Sequence, residues 1–142
     1  MAHRSLTLAL LATSFAFSAN AFDAVTLADY SGAEIFQRYC AACHGESAHG
    51  DGPAARSLKA IVPDLTKIEL RDGEFPAAAI RDTIDGRGVQ VPAHGTRAMP
   101  VWGRELWMED GGDVTAEKEM RAAIKRLVEY LRSIQVPKDA AR

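Results

Sequence analysis

Apolar side chains recur every three or four residues in several short segments of the chain, as in helices that bury one face. Ser31 and Glu34 have the spacing of an N-terminal capping box. Ile35 and Tyr39 follow, four residues apart. This pattern predicts a short helix over residues 32–43. No segment shows a sustained two-residue alternation of β-branched and polar residues, so the predicted fold class is all-α.

The clearest helical pattern lies near the C-terminus. Asp113 or Thr115 can cap this helix, and Pro137 stops it. Its predicted buried stripe consists of Met120, Ala123, Ile124, Leu127, Val128, Leu131 and Ile134. A further short helix is predicted at residues 76–85, where a proline can occupy the first helical position and Gly86 can take the left-handed conformation that ends a helix.

Two segments rich in glycine and proline connect these helices. Residues 45–63 favour turns, with one helical turn near residues 54–60. Residues 86–112 are predicted to form a long loop, and a loop of that length inside a compact domain is usually functional when it is ordered. The chain is therefore expected to consist of short helices joined by irregular connections.

The composition is that of one ordinary folded domain, with 142 residues, 47% of them hydrophobic and 25% charged. Two cysteines are too few for a disulfide-stapled scaffold or a four-thiolate zinc site. A formal net charge of -2 offers no basic surface for nucleic acid. These three classes of protein are excluded.

The start of the chain has the pattern of a secretory signal peptide. Arg4 precedes an apolar run over residues 6–17, and small side chains up to Ala21 suit a signal peptidase. A membrane anchor is the alternative, but a span needs about 20 apolar residues and polar side chains interrupt this run. We predict a cleaved signal over residues 1–21, a single domain over residues 22–142 and export to an oxidising compartment.

The candidate chemistry centres on the sequence Cys-Ala-Ala-Cys-His at residues 40–44. Cys40 and Cys43 lie one helical turn apart, so each thiol can add to a vinyl group of haem while the imidazole of His44 reaches the iron. The proximal imidazole would also need an acceptor for its Nδ1–H, which the carbonyl of Pro63 or Pro53 could provide.

Three other interpretations of the two cysteines are weaker. A thioredoxin-like dithiol belongs near a βαβ pattern, which this chain lacks. A structural zinc ion would need two more ligands, for which His49 and His94 are poor candidates. A disulfide between adjacent helical turns would close almost no loop and would stabilise little.

Four short motifs, at residues 40–45, 50–53, 63–65 and 99–103, together resemble those of a class I monohaem c-type cytochrome. The resemblance covers nearly all of the mature domain. It implies a small cytochrome c fold wrapped around one haem c, covalently bound through Cys40 and Cys43, with His44 as proximal ligand. It also implies that Pro63, rather than Pro53, gives its carbonyl to His44.

The resemblance further implies a second axial ligand and a helix crossing. Met99 lies on a loop bounded by proline and glycine and matches the distal Met-Pro-x-Trp-Gly pattern of the family, with His94 as the fallback. Met108 and Met120 are interpreted as ordinary surface or core residues. Gly32 and Phe36 match the first-helix positions that pack across the last helix.

The predicted function is a secreted, bacterial periplasmic electron carrier that exchanges single electrons with donor and acceptor redox proteins and makes or breaks no substrate bond. No nucleic-acid partner and no membrane span in the mature chain are expected. Two alternatives remain. The chain can be a cytochrome subunit of a larger dehydrogenase or oxidase complex, or a gas-binding or peroxide-reacting haem protein in which Met99 leaves the iron.

Overall fold

A computed structural model describes residues 25–88 and 98–137, and in this part of the chain the ordered elements are helical. The α-helices are Gly32–Tyr39 (α1), Ala41–His44 (α2), Ala77–Asp85 (α3), Trp102–Glu109 (α4) and Val114–Ser133 (α5). Single turns of 3-10 helix lie at Leu27–Asp29, Ala55–Ser57 and Leu65–Lys67. No strand occurs in the described ranges, where one isolated bridge joins Arg71 and Glu74. The all-α prediction is confirmed.

Helix α1 begins at the predicted capping box. The Ser31 hydroxyl accepts from the Glu34 N–H at 3.3 Å, and the Glu34 carboxylate accepts from the Ser31 N–H at 2.8 Å. In place of the one continuous helix predicted over residues 32–43, the structure has α1 and α2, which meet at Cys40. This residue belongs to neither helix, although its φ of −114° and ψ of −35° are still right-handed helical. The Cys40 carbonyl then accepts from the His44 N–H at 2.9 Å and starts the second, shorter helix.

Helix α5 is the centre of the fold, and α1, α3 and α4 all pack against it. Asp113 caps it by accepting from the Ala116 N–H at 2.8 Å, and it ends at Ser133, before Pro137. The predicted stripe is buried from Met120 to Leu131, and Ile134 is half-buried. The other face of α5 is charged. Among the helices of the described ranges, none has the length and apolar character needed to cross a membrane.

The crossing of α1 and α5 depends on Gly32. A Cβ on this residue would collide with the backbone carbonyl of Arg126 and lie 3.0 Å from Cβ of Tyr130. Phe36, one turn further along α1, packs against the Tyr130 ring with 5.4 Å between centroids. The predicted packing of Gly32 and Phe36 on the last helix is therefore confirmed.

Helix α3 follows Pro76, which is its N-cap, and ends at Gly86, which has the predicted left-handed conformation with φ +67°. The prediction of an uninterrupted loop over residues 86–112 is wrong, because α4 occupies Trp102–Glu109. Leu106 in α4 is 2% exposed and belongs to the core. Its burial stabilises α4, which is too short to form a stable helix by itself or to show a clear apolar periodicity in the sequence. The predicted helical turn near residues 54–60 is present at Ala55–Ser57.

Replacing Gly32 by alanine tests this crossing. We expect Gly32→Ala to lower the free energy of unfolding by about 1–3 kcal/mol, since the added methyl group forces two packed helix backbones apart. Denaturant unfolding of the haem-loaded protein measures the change. Gly88→Ala is the matched control, because no atom of the described residues, apart from its chain neighbours, lies within 4 Å of the position its Cβ would take. Equal stability of the two variants would contradict a close backbone crossing.

Candidate functional site

A cavity of about 780 Å³ lies between α2, α3, the loop around Pro63 and the segment that leads into α4. This volume is within the range of pockets that bind cofactors, about 300–1,000 Å³. The cavity walls are mainly apolar, and the side chains of Leu65, Ile80 and Trp102 are among those that line it. The predicted site residues that line it are Cys40, Cys43, His44 and Met99. Residues about 60 positions apart in sequence thus meet at one site.

Both cysteines are free thiols that line this cavity. Cys40 is buried, and burial, with a smaller contribution from neighbouring Cys43, raises the pKa of its thiol to about 12. A redox-active dithiol needs a thiol with a lowered pKa, because the thiolate is the nucleophile. The environment of Cys40 therefore disfavours the thioredoxin-like interpretation of the motif.

The ring of His44 is oriented by a backbone carbonyl. Its Nδ1 lies 3.3 Å from the carbonyl oxygen of Pro63, so Pro63 and not Pro53 provides the acceptor. With the proton on Nδ1, the other ring nitrogen, Nε2, is left with the lone pair that binds a metal. Burial lowers the pKa of His44, whereas the bond to Pro63 acts in the opposite direction and is the smaller effect. The imidazole is therefore held neutral, which is the ligating form.

Met99 is half-buried and lies on the segment that leads into α4. Trp102, at the start of α4, packs edge-on against Tyr39 with 5.6 Å between ring centroids. Met108 and Met120 are placed as predicted, since Met120 is fully buried in the helical core and Met108 is 60% exposed. The fallback ligand His94 lies outside the described residues.

His49 lies at the surface and not against the cavity. Its Nδ1 is 3.4 Å from a carboxylate oxygen of Asp64, and its side chain is 51% exposed. In residues 25–88 and 98–137, no group of three or more His, Cys, Asp or Glu side chains converges as a metal site would require. The zinc interpretation therefore finds no ligand set in this part of the chain.

An ion network that the sequence did not reveal lies beside the start of α4. The guanidinium of Arg87 donates to Asp85 at 2.6 Å and to Glu117 of α5 at 2.7 Å. Gly103 of α4 rests directly on it, since a Cβ there would lie 2.8 Å from Nε of Arg87. The network joins α3, α4 and α5 next to the segment that carries Met99. No local pattern indicates a pairing across 30 residues.

The donor set fits a covalently bound haem. Two thiols one turn apart can form thioether links, a neutral imidazole with a fixed Nδ1–H can bind iron, and a thioether from Met99 is a known type of second axial ligand. The apolar cavity provides the low-polarity environment in which such a ring is held.

Comparison with known proteins gives two matches. The family model described as "Cytochrome C oxidase, cbb3-type, subunit III" matches residues 28–131. A protein named cytochrome c6 from Picosynechococcus sp. is 32% identical over 112 residues, which cover 79% of this chain and 86% of that protein. No solved structure matches at a significant level.

The ion network predicts a specific dependence of stability on pH. Hydrogen bonds from Arg87 are the main cause that lowers the pKa values of Asp85 and Glu117 below their ordinary values of 3.8 and 4.5. Carboxyl groups with lowered pKa values stabilise the fold above their unfolded-state pKa, and this contribution is lost as the pH falls toward the folded-state values. We expect Arg87→Gln to be less stable than wild type near neutral pH and to lose less stability on acidification.

Urea unfolding of the haem-loaded protein at a series of pH values between 7 and about 3 measures this difference. Arg81→Gln is the control, because within the described residues Arg81 pairs only with the neighbouring Asp82, and both side chains are at least half exposed. If Arg87→Gln and Arg81→Gln show the same pH profile, the network does not couple the three helices.

Proposed function

Because the chain belongs to the cytochrome c family of electron-transfer proteins, we propose that it is an exported carrier of single electrons with His/Met ligation of its haem iron. One covalently attached haem c is the cofactor of this family. We assign its attachment to Cys40 and Cys43 and its axial ligands to His44 and Met99. The observation that supports this assignment is that all four side chains line one apolar cavity.

The haem, when bound, supplies an iron that accepts and releases one electron. The chain's own residues set the conditions for that exchange. The Pro63 carbonyl holds the Nδ1–H of His44 at 3.3 Å, which orients Nε2 for ligation and increases its basicity. Met99 contributes a neutral thioether, which favours the reduced state more than a second imidazole does.

The walls of the cavity are mainly apolar and would limit the access of water to a bound haem. Leu65, Ile80 and Trp102 contribute apolar surface. Apolar side chains reorient little when the iron gains or loses one electron, so the reorganisation energy is small. An iron that both His44 and Met99 coordinate, in apolar surroundings, suits electron exchange and leaves no position for a further substrate. This argument supports a carrier over a gas-binding or peroxide-reacting protein.

We propose that residues 1–21 are a cleaved signal and that residues 22–142 form the mature domain in the bacterial periplasm. Two features of the sequence support a cleaved signal: the apolar run after Arg4 and the small residues up to Ala21. Donor and acceptor are then redox proteins that dock briefly, through an interface at the small end of the usual size range.

A second candidate function is a cytochrome subunit of a larger oxidase or dehydrogenase complex. The description of the matching family model, which names a subunit of a cbb3-type oxidase, favours it. Size-exclusion chromatography of detergent-solubilised membranes from the native host distinguishes the two. A subunit elutes with a large haem-containing complex, whereas a free carrier stays in the periplasmic extract.

Intact-mass measurement tests the attachment and the processing together. We expect wild-type protein, expressed with a haem-attachment system, to have the mass of residues 22–142 plus one haem. The Cys40→Ala/Cys43→Ala double variant should lose all covalent haem, because no thiol is left in the chain to form a thioether. Covalent haem in the double variant would refute the assignment of both cysteines.

Absorption spectra test the proposed distal ligand. We expect the oxidised wild type to show the far-red sulfur-to-iron band and the reduced wild type not to react with carbon monoxide, since Met99 saturates the iron. Met99→Ala should lose the band and bind carbon monoxide.

The matched control is Met108→Ala, which removes an exposed methionine and should behave as wild type. Ready binding of carbon monoxide by the wild type would instead favour a ligand-binding haem protein.

A further inference from the structure

The segment that carries the Pro63 carbonyl is held from two directions. Asp64 caps the single 3-10 turn Leu65–Lys67 that follows Pro63, and Gln135, beyond the end of α5, bonds to the backbone of the same turn. We call these two side chains and Thr66, to which Asp64 is bonded, the proximal brace.

Asp64 organises the turn from within. Its Oδ1 accepts from the Thr66 N–H at 2.9 Å and from the Thr66 hydroxyl at 2.6 Å, and its Oδ2 lies 3.1 Å from Nζ of Lys67. The hydrogen bond from the Thr66 hydroxyl is the main cause that holds the pKa of Asp64 well below its usual range, so the carboxylate stays ionised at neutral pH. Thr66 is itself buried, which keeps this bond away from competing water.

Gln135 secures the turn from outside. Its Nε2 donates to the Leu65 carbonyl at 2.7 Å, and its Oε1 accepts from the Ile68 N–H at 2.9 Å. The neighbouring Val136 N–H donates to the Thr66 carbonyl at 2.9 Å. The residues that follow α5 are therefore bonded to Leu65, Thr66 and Ile68, in a segment that forms one wall of the cavity.

The braced turn is also tied to the loop after His44. The Leu65 N–H donates to the Ala48 carbonyl at 2.7 Å. The turn that follows Pro63 is therefore bonded to the loop after His44, to Asp64 and to Gln135, and these bonds limit the movement of Pro63. The bond it accepts from Nδ1 of His44 is long, at 3.3 Å, and hydrogen bonds near this limit weaken sharply with further separation or misalignment. A small shift of the turn is therefore enough to weaken it.

We propose that Asp64, Thr66 and Gln135 are positioning residues that set the strength of the His44–Pro63 hydrogen bond and thereby the reduction potential of the haem. This inference rests on the proposed function, in which His44 binds the iron. A stronger bond to Nδ1–H makes the imidazole a better donor and stabilises the oxidised iron. Loosening the brace should therefore raise the reduction potential.

Two uncharged substitutions test the brace without changing net charge. Thr66→Val removes the hydroxyl that donates to Asp64, and Gln135→Leu removes the bonds to Leu65 and Ile68. Thr66→Ser keeps the hydroxyl and should resemble wild type. Ser133→Ala is a control at the same end of α5, where it removes only an exposed bond to the Tyr130 carbonyl.

The readouts are the reduction potential of the haem-loaded protein and the solvent exchange of the His44 Nδ1–H, followed by NMR in the reduced state. We expect Thr66→Val and Gln135→Leu to exchange this proton about fivefold faster, as for the loss of most of one net hydrogen bond. Their potentials should rise enough to change the ratio of reduced to oxidised protein about threefold at a fixed solution potential. Ser133→Ala and Thr66→Ser should show neither change.

Unchanged potential and unchanged Nδ1–H exchange in Thr66→Val, the milder variant, would overturn the inference even if Gln135→Leu did not yield folded protein. A raised potential without faster exchange would also overturn it, because the effect would not pass through His44. Failure of the proposed function would look different. The wild type itself would then lack the His/Met spectrum, or would show no signal of an iron-bound histidine.

Discussion

The close crossing of α1 and α5 at Gly32 is the contact on which the rest of the structure depends. With no side chain at Gly32, the backbone of α1 rests against the Arg126 carbonyl. Arg126 in turn donates to the carbonyls of Tyr30 and Leu27 at 2.9 Å and so binds the segment that precedes α1 to α5. Because α2 follows α1 after one residue, this crossing also sets where Cys40, Cys43 and His44 meet the cavity.

Helix α5 connects both sides of the cavity to this crossing. Near its start, Glu117 bonds to Arg87 beside α4, and beyond its end Gln135 bonds to the turn after Pro63. The backbone that orients His44 and the segment that carries Met99 are thus supported by opposite ends of one rigid element. For the axial ligands proposed above, such an arrangement resists changes in their separation, which a small reorganisation on electron transfer requires.

The charges of the residues around the cavity also suit a redox centre. Two of the groups that line the cavity, Cys40 and His44, are held neutral by burial, which raises the pKa of Cys40 and lowers that of His44. Asp64 and Lys67 also line the cavity and pair with each other at 3.1 Å, whereas Arg87 and Asp85 form a pair that is not part of the lining. The cavity therefore offers a bound redox centre a mainly apolar wall, in which charge among the described residues is limited to the Asp64–Lys67 pair and Glu69.

The sequence alone determined the features that depend on neighbours along the chain. The capping box at Ser31, the buried stripe of α5 and the Cys-Ala-Ala-Cys-His motif are local patterns, so their structural meaning follows from helix geometry. The small Gly32 was also identifiable, through its place in a family pattern. Only the tertiary structure decided the break at Cys40 and the helix at Trp102–Glu109. It alone also revealed the contacts of Arg87 with Glu117 and of Gln135 with Leu65, because these contacts join residues 30 and 70 positions apart and leave no periodic signal in the sequence.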